Sequence, residues 1–231
     1  MELLKKWYEH ILWDKKNKAP LVLLNYFNLI KPDIYWKQRH REYKRIEYDN
    51  IKKSLLFVDE NIEYIQSDNA NNIDWWKIRI FTSLKNNILK SIFIKNLINN
   101  NIRYLNYNNL LLKWKNIFWI HFIRYNILPW KVSFASPRWL HKDDEEIVFV
   151  HLINKSTNLI WWENVLANSL DDISNVLNLD SFMDTIILTR KILHAVVPMW
   201  TSNDKTAFRD VIIFTVENKR LLNNKENLWK N

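Results

Sequence analysis

Not one of the chain's 231 residues is glycine. Glycine is the residue that enters positive φ without steric cost. Tight turns here must therefore use Asn, Asp or strained side chains. The lack also excludes every fingerprint that needs a glycine backbone: the Walker loop, the dinucleotide-binding G-x-G-x-x-G, the G-x-S-x-G nucleophile elbow and the EF-hand loop. Cys is absent as well, which removes disulfides, thiolate zinc sites, iron–sulfur clusters and cysteine nucleophiles.

Trp, by contrast, occurs 13 times. Several stand where glycine would be natural, as in Leu128-Pro129-Trp130-Lys131, Pro137-Arg138-Trp139-Leu140 and Pro198-Met199-Trp200-Thr201. Ile, Leu, Asn, Lys, Phe and Tyr dominate the rest, as expected of an AT-rich gene. Two origins fit: an organellar genome, or a decoding ambiguity at the Trp codons.

A 48% hydrophobic content is enough for a packed core in one large domain or two small ones. The start lacks the apolar stretch of a secretory signal, and no run of apolar residues is long enough for a spanning helix. The densest stretch, Leu110 to Trp130, is interrupted by Lys113, Lys115, His121 and Arg124.

Charge is unevenly spread. The net charge is +9, yet residues 75–142 hold 12 Lys and Arg and no acid at all. Residues 143–231 carry 13 acids against 9 bases. Like charges repel in a compact state, and an anionic partner relieves that cost. Aromatics interleave with the central cations, and rings that stack on bases beside cations that meet phosphates suit RNA.

The periodicities predict an α+β fold: a mixed N-terminal and central region with short strands, and an α-helical C-terminal third. A short helix is expected near residues 3–13, a solvated helix over the charged run 37–53, and strands at 54–58, 61–66, 77–81, 131–135 and 146–153. Residues 84–98 read as a helix that Asn99-Asn100-Asn101 would end. Three helices are expected at 163–177, 181–197 and 204–222, the last because Phe208, Val211, Ile212 and Thr215 follow helical spacing. The turn-like Asn154 to Asn158 divides the chain into a basic α+β nucleic-acid-binding region, 1–155, and a helical interaction region, 156–231.

Three constellations carry candidate chemistry. Pro32-Asp33 with Glu42-Tyr43-Lys44 resembles the P-D…(D/E)-x-K nucleases. That resemblance implies two carboxylates on Mg²⁺ and a Lys steadying the phosphate. His141, Asp143, Asp144, Glu145, Glu146 and His151 form a cluster of zinc- or manganese-ligand types, which an acidic loop leading into a strand explains more simply. Arg190 and His194, one helical turn apart if that segment is helical, could serve RNA cleavage as cation and base.

The expected function is a non-catalytic, RNA-binding structural subunit of a ribonucleoprotein, an organellar ribosome above all. It would need no cofactor and no metal, and would sit in an organellar matrix or the cytoplasm of an AT-rich organism. The partners would be rRNA and, through the acidic helical C-terminus, neighbouring protein subunits. Lys77, Arg79, Lys113, Lys115, Arg124, Lys131 and Arg138 would neutralise phosphates, while Trp114, Trp119 and Trp130 would stack on bases. The alternatives are the metal-dependent nuclease and a helical protein–protein subunit of a membrane-associated respiratory assembly.

Overall fold

The computed structural model describes residues 3, 6–12, 18–58, 79–136 and 139–217. Thirteen strands dominate these residues. The N-terminal half supplies β1 (Tyr8–Ile11), helix α1 (Leu21–Phe27), β2 (Arg39–Asp49), β3 (Ser54–Val58), β4 (Thr82–Ser83), helices α2 (Asn86–Leu89) and α3 (Ile92–Tyr107), and β5 (Lys115–Ile127). The second half is all strand: β6 (Ile147–Lys155), β7 (Leu159–Ile160), β8 (Asn164–Ser169), β9 (Asp172–Leu177), β10 (Thr185–Thr189), β11 (Leu193–Val196), β12 (Trp200–Thr201) and β13 (Ala207–Val216).

The large sheet runs β1-β10-β6-β13-β5-β2-β3, antiparallel along that path, with β4 added in parallel beside β2. A small sheet, β11-β8-β9, lies opposite it. Alternate residues of the large sheet face two different cores. On one face Ile46, Phe118, Phe122, Phe149 and Phe214 pack against α1 and α3. On the other, Ile123, Val148, Ile186 and Val211 meet Leu166 of the small sheet. This is a jelly-roll-like double sheet with its helices on the outer face.

The C-terminal third is therefore not helical. Residues 163–177 form the hairpin β8–β9, residues 181–197 hold β10 and β11, and β13 replaces the last expected helix. Val211-Ile212-Ile213-Phe214 is a continuous apolar run because β13 lies between β5 and β6, covered on both faces. Such a run satisfies a helical template by accident, and its β-branched content is the better guide. Strands from both sides of residue 155 interleave in the one sheet.

The charged run near residue 40 is also a strand, β2. Its alternation sends Arg39, Arg41 and Tyr43 to the inner face, while Glu42, on the other face, accepts from the Tyr26 hydroxyl of α1 at 2.6 Å. The three-Asn run lies inside α3. Ser91 caps that helix by accepting from Ile94 N, and the stripe Ile94, Ile98, Ile102 and Leu105 holds it on the sheet. The strand expected at 61–66 lies outside the described residues, as do residues 77 and 78 of the strand expected at 77–81; of its remainder, Arg79 forms a bridge and residues 80–81 lie outside any strand.

Six of the described residues adopt positive φ, and three of them are Trp: Trp7 (65°), Trp130 (62°) and Trp161 (57°).

Candidate metal centre

Asp143 lies between two histidines brought in from different parts of the chain. His141 and His194 pair across an isolated antiparallel bridge, and β11 holds His194 against β8. His194 Nε2 is 3.3 Å from Asp143 Oδ2, and His141 Nε2 is 3.8 Å from Asp143 Oδ1. One ligand atom from each residue lies within 4.8 Å of the other two. His141 Nδ1 donates to the Trp139 carbonyl at 3.3 Å, which leaves Nε2 as the lone pair facing the carboxylate. Burial works against ionising Asp143, but His194, His141 and Arg41 outweigh it and hold its carboxyl at about 2. Burial likewise opposes protonation of His194, and Asp143 overcomes it, raising that pKa. Two imidazole nitrogens and one carboxylate oxygen, converging with no apolar group between them, fit a divalent transition metal.

The triad opens on a cavity of about 440 Å³ between the sheets, within the usual range for a small-molecule site. Aliphatic side chains, including Ile123, Val148, Ile186, Leu188, Val211 and Ile213, form part of its walls beside polar and charged ones. Four arginines also line it: Arg39, Arg41, Arg79 and Arg209. Asp33 meets Arg39 at 2.6–2.7 Å.

Arg209 is different. It is 1% exposed; its Nη2 reaches Asn164 Oδ1 at 3.4 Å and its Nε has no partner. Its neighbour Asp210 points to the opposite face, where Arg124 grips it with two bonds of 2.7 Å. The period of the strand thus separates adjacent opposite charges and leaves Arg209 facing the cavity. Burial lowers its pKa, yet a guanidinium does not deprotonate in proteins. A buried cation in that state calls for an anionic ligand. A carboxylate fits it, because the guanidinium fork can pair with two oxygens.

Two histidines and one carboxylate on a jelly-roll, with open positions facing a cavity, define the mononuclear non-haem Fe(II) oxygenases. The chain matches the 2OG-Fe dioxygenase family over residues 24–215 and belongs to it. It is 35% identical over 215 residues to L-isoleucine-4-hydroxylase of Bacillus thuringiensis, covering 91% of this chain and 88% of that one. A 99-residue stretch, 42% of this chain and 40% of the relative, is 40% identical to 3(1)-hydroxy-L-isoleucine 4-dioxygenase of Pantoea ananatis. The crystal structure of IDO from Bacillus thuringiensis superposes with a TM-score of 0.79 at 29% identity, covering 94% of this chain and 96% of that one.

These findings overturn the ribosomal reading, the nuclease and the respiratory subunit. Nothing supports an rRNA partner, and among the described residues strands stand where the helical face was expected to meet neighbouring subunits. Among the described residues no helix is long and apolar enough to cross a membrane. The nuclease carboxylates are engaged elsewhere: Asp33 with Arg39 and Glu42 with Tyr26, while Lys44 donates to Ser83 at 3.2 Å. Arg190 sits in the turn after β10 and pairs with Glu146 at 3.1 Å, away from any helical partnership with His194. His151 leaves the acidic cluster for the helix-facing core, bonded to Asn101 and Thr185.

The cations and rings assigned to RNA do not converge. Lys113 and Trp114 are exposed just before β5, and Lys115 pairs with Glu47 at 2.6 Å. Trp119 is buried and stacks on Tyr43. Arg124 is committed to Asp210 near the far end of β5, and Trp130 and Lys131 are exposed beyond it. Only Arg79 of that set lines the cavity. Lys77 and Arg138 lie outside the described residues.

Proposed function

We propose that the protein hydroxylates an aliphatic carbon of a free L-amino acid of the isoleucine type, with Fe(II) and 2-oxoglutarate. One observation carries the reading: the triad opens on a cavity walled in part by aliphatic side chains, where Arg209 holds an unmatched positive charge suited to a carboxylate end of 2-oxoglutarate. The relatives named for isoleucine and hydroxyisoleucine support the substrate class. His141, Asp143 and His194 would hold the metal. Bound together, Fe(II) and 2-oxoglutarate supply oxygen activation, the oxoacid leaving as succinate and CO₂ while the substrate C–H becomes C–OH.

The chain's own residues do the rest. Asp143 stays ionised at any working pH because its carboxyl is held at about 2. The Trp139 carbonyl fixes the His141 ring. Asn164 steadies Arg209 while its own amide nitrogen donates to the Leu177 carbonyl. The aliphatic part of the wall gives an apolar side chain a surface to pack on, and the surplus of arginine over acid in the cavity favours anionic ligands.

The test is turnover of Fe(II)-loaded protein with 2-oxoglutarate and L-isoleucine in air. Succinate released in step with a singly hydroxylated amino acid is the expected result. Succinate formation that no aliphatic amino acid stimulates overturns the reading.

A further inference from the structure

Asn164 ties the two sheets together across the cavity. It is the first residue of β8, the middle strand of the small sheet, and it is buried. Its Oδ1 accepts from Arg209 Nη2 at 3.4 Å, and its Nδ2 donates to the Leu177 carbonyl of β9 at 3.3 Å. Arginine only donates and a backbone carbonyl only accepts, so a single orientation of the amide serves both contacts. The small sheet thus fixes the amide, and the amide holds a guanidinium that extends from β13 of the large sheet. Being neutral, Asn164 directs that guanidinium without cancelling its charge. An arginine side chain has about 2 kcal/mol of rotamer entropy, so its backbone position alone does not place its head group.

The same strand pair carries a metal ligand. In the register of β8 and β11, His194 lies opposite Leu166 and Val196 opposite Asn164. Residues opposite one another, or two apart, share a face of a sheet. All four line the cavity. One strand spacing across and two residues along put the His194 and Asn164 Cα atoms roughly 8 Å apart. Arg209 is therefore referenced, through Asn164, to the strands that hold His194.

We infer that Asn164 is a positioning residue for the oxoacid: by holding Arg209 at a set distance from His194, it fixes the length of 2-oxo acid that can reach from the guanidinium to the metal. The inference rests on the 2-oxoglutarate part of the reading above and on nothing about the amino acid.

The experiment is anaerobic calorimetry on Fe(II)-loaded protein without any amino acid. The probes are 2-oxoglutarate and 2-oxoadipate, which is one methylene longer. Wild type should prefer 2-oxoglutarate by about tenfold or more, the usual discrimination of a fixed site against one methylene. Asn164→Ala frees the guanidinium and should narrow that preference to about threefold or less, while Fe(II) affinity within about twofold of wild type shows that the metal site and the fold survive. Asn164→Asp has nearly the same shape but sets a carboxylate beside Arg209. It should weaken both oxoacids by about tenfold or more, because the charge they would meet is already matched. That second variant guards against a folding defect in the first.

A length preference in Asn164→Ala within about twofold of wild type overturns the role, even if both acids bind more weakly, since a merely structural residue would weaken both alike. So does 2-oxoglutarate binding by Asn164→Asp as tight as by wild type. Wild type with no length preference also overturns it, and wild type that binds neither acid overturns the 2-oxoglutarate reading with it. If isoleucine fails to stimulate turnover while the preference depends on Asn164, the amino-acid reading falls and the positioning role stands. Isoleucine-stimulated turnover with a preference indifferent to Asn164 removes the positioning role alone.

Discussion

His141 and His194 exchange backbone hydrogen bonds of 3.1 and 2.9 Å across an isolated bridge, and their rings meet at a centroid distance of 4.4 Å. The main chain, not the side chains, therefore sets the spacing of two metal ligands. His194→Ala should leave the bridge and the fold intact while removing one ligand, and Asp143→Ala should do the same for the carboxylate. Both variants should melt, without metal, within about 1 kcal/mol of wild type. Both should lose Fe(II) binding by about a hundredfold or more, since disturbing even the groups that support a metal ligand costs 10–100-fold. Metal titration followed by spectroscopy, paired with calorimetric melts, reads the two effects separately.

Arg209 predicts a different pattern. An unmatched buried cation is a cost to the empty protein, and replacing it with an apolar side chain of similar length removes that cost. Arg209→Met should therefore melt no lower than wild type in the absence of ligand. The same variant should raise the KM for 2-oxoglutarate by about tenfold or more, the loss of a charged hydrogen bond. The same concentration of 2-oxoglutarate should raise the Tm of wild type by more than that of Arg209→Met. Thermal melts with and without the oxoacid check all three outcomes.

How much of this could be read in the letters depends on how local the signal is. His141 and Asp143 stand two residues apart and were legible as one cluster of ligand types. His194 was legible only as a histidine of interest. It joins the others through a bridge between distant segments, and no short-range spacing encodes that. Ser54–Val58 and β6 have local patterns that match their structures, whereas the helix expected at 84–98 is split into α2 and α3, and α3 runs on through the Asn run to Tyr107. The strands β10 and β13 show no such match, because they are covered on both faces and lose the alternation that marks a half-buried strand. Arg124 and Arg209 show the same limit for charge: one meets an acid across a strand pair and the other meets none, which composition cannot distinguish.

His151 makes stability depend on pH. Its Nδ1 donates to Thr185 Oγ1 at 2.7 Å, since that hydroxyl already donates to the Met183 carbonyl, and its Nε2 accepts from Asn101 at 3.1 Å. The neutral ring is fully satisfied and a second proton has no place. Burial accordingly drives the pKa down to about 3. The unfolded chain binds a proton near pH 6.5 and the folded chain does not, so this group's stability is complete above pH 6.5 and is lost progressively as pH falls toward 3. The slope is at most about 1.4 kcal/mol per pH unit. Carboxylates titrate in the same range, so the readout is a difference. Denaturant melts between pH 4 and 7 (roughly the window of the shift) should show a shallower pH dependence for His151→Gln than for wild type.

Trp130 and Trp161 carry the strain that glycine would relieve. Their φ angles of 62° and 57° lie in the left-handed region. They are 71% and 54% exposed, so the indoles bury little. A non-glycine residue held there costs about 1–2 kcal/mol, while glycine's freedom in the unfolded chain takes back about 0.5–1 kcal/mol. Trp130→Gly and Trp161→Gly should each stabilise by up to about 1 kcal/mol, measured as a rise in Tm. Trp130→Ala should not, because alanine keeps the Cβ that causes the clash. Among the described residues Trp supplies three of the six at positive φ, in a chain with no glycine. That coincidence favours decoding ambiguity over chance. The intact mass of the protein purified from its source should fall below the value for 13 tryptophans, and a mass equal to that value removes the decoding explanation while leaving the strain measurement to stand on its own.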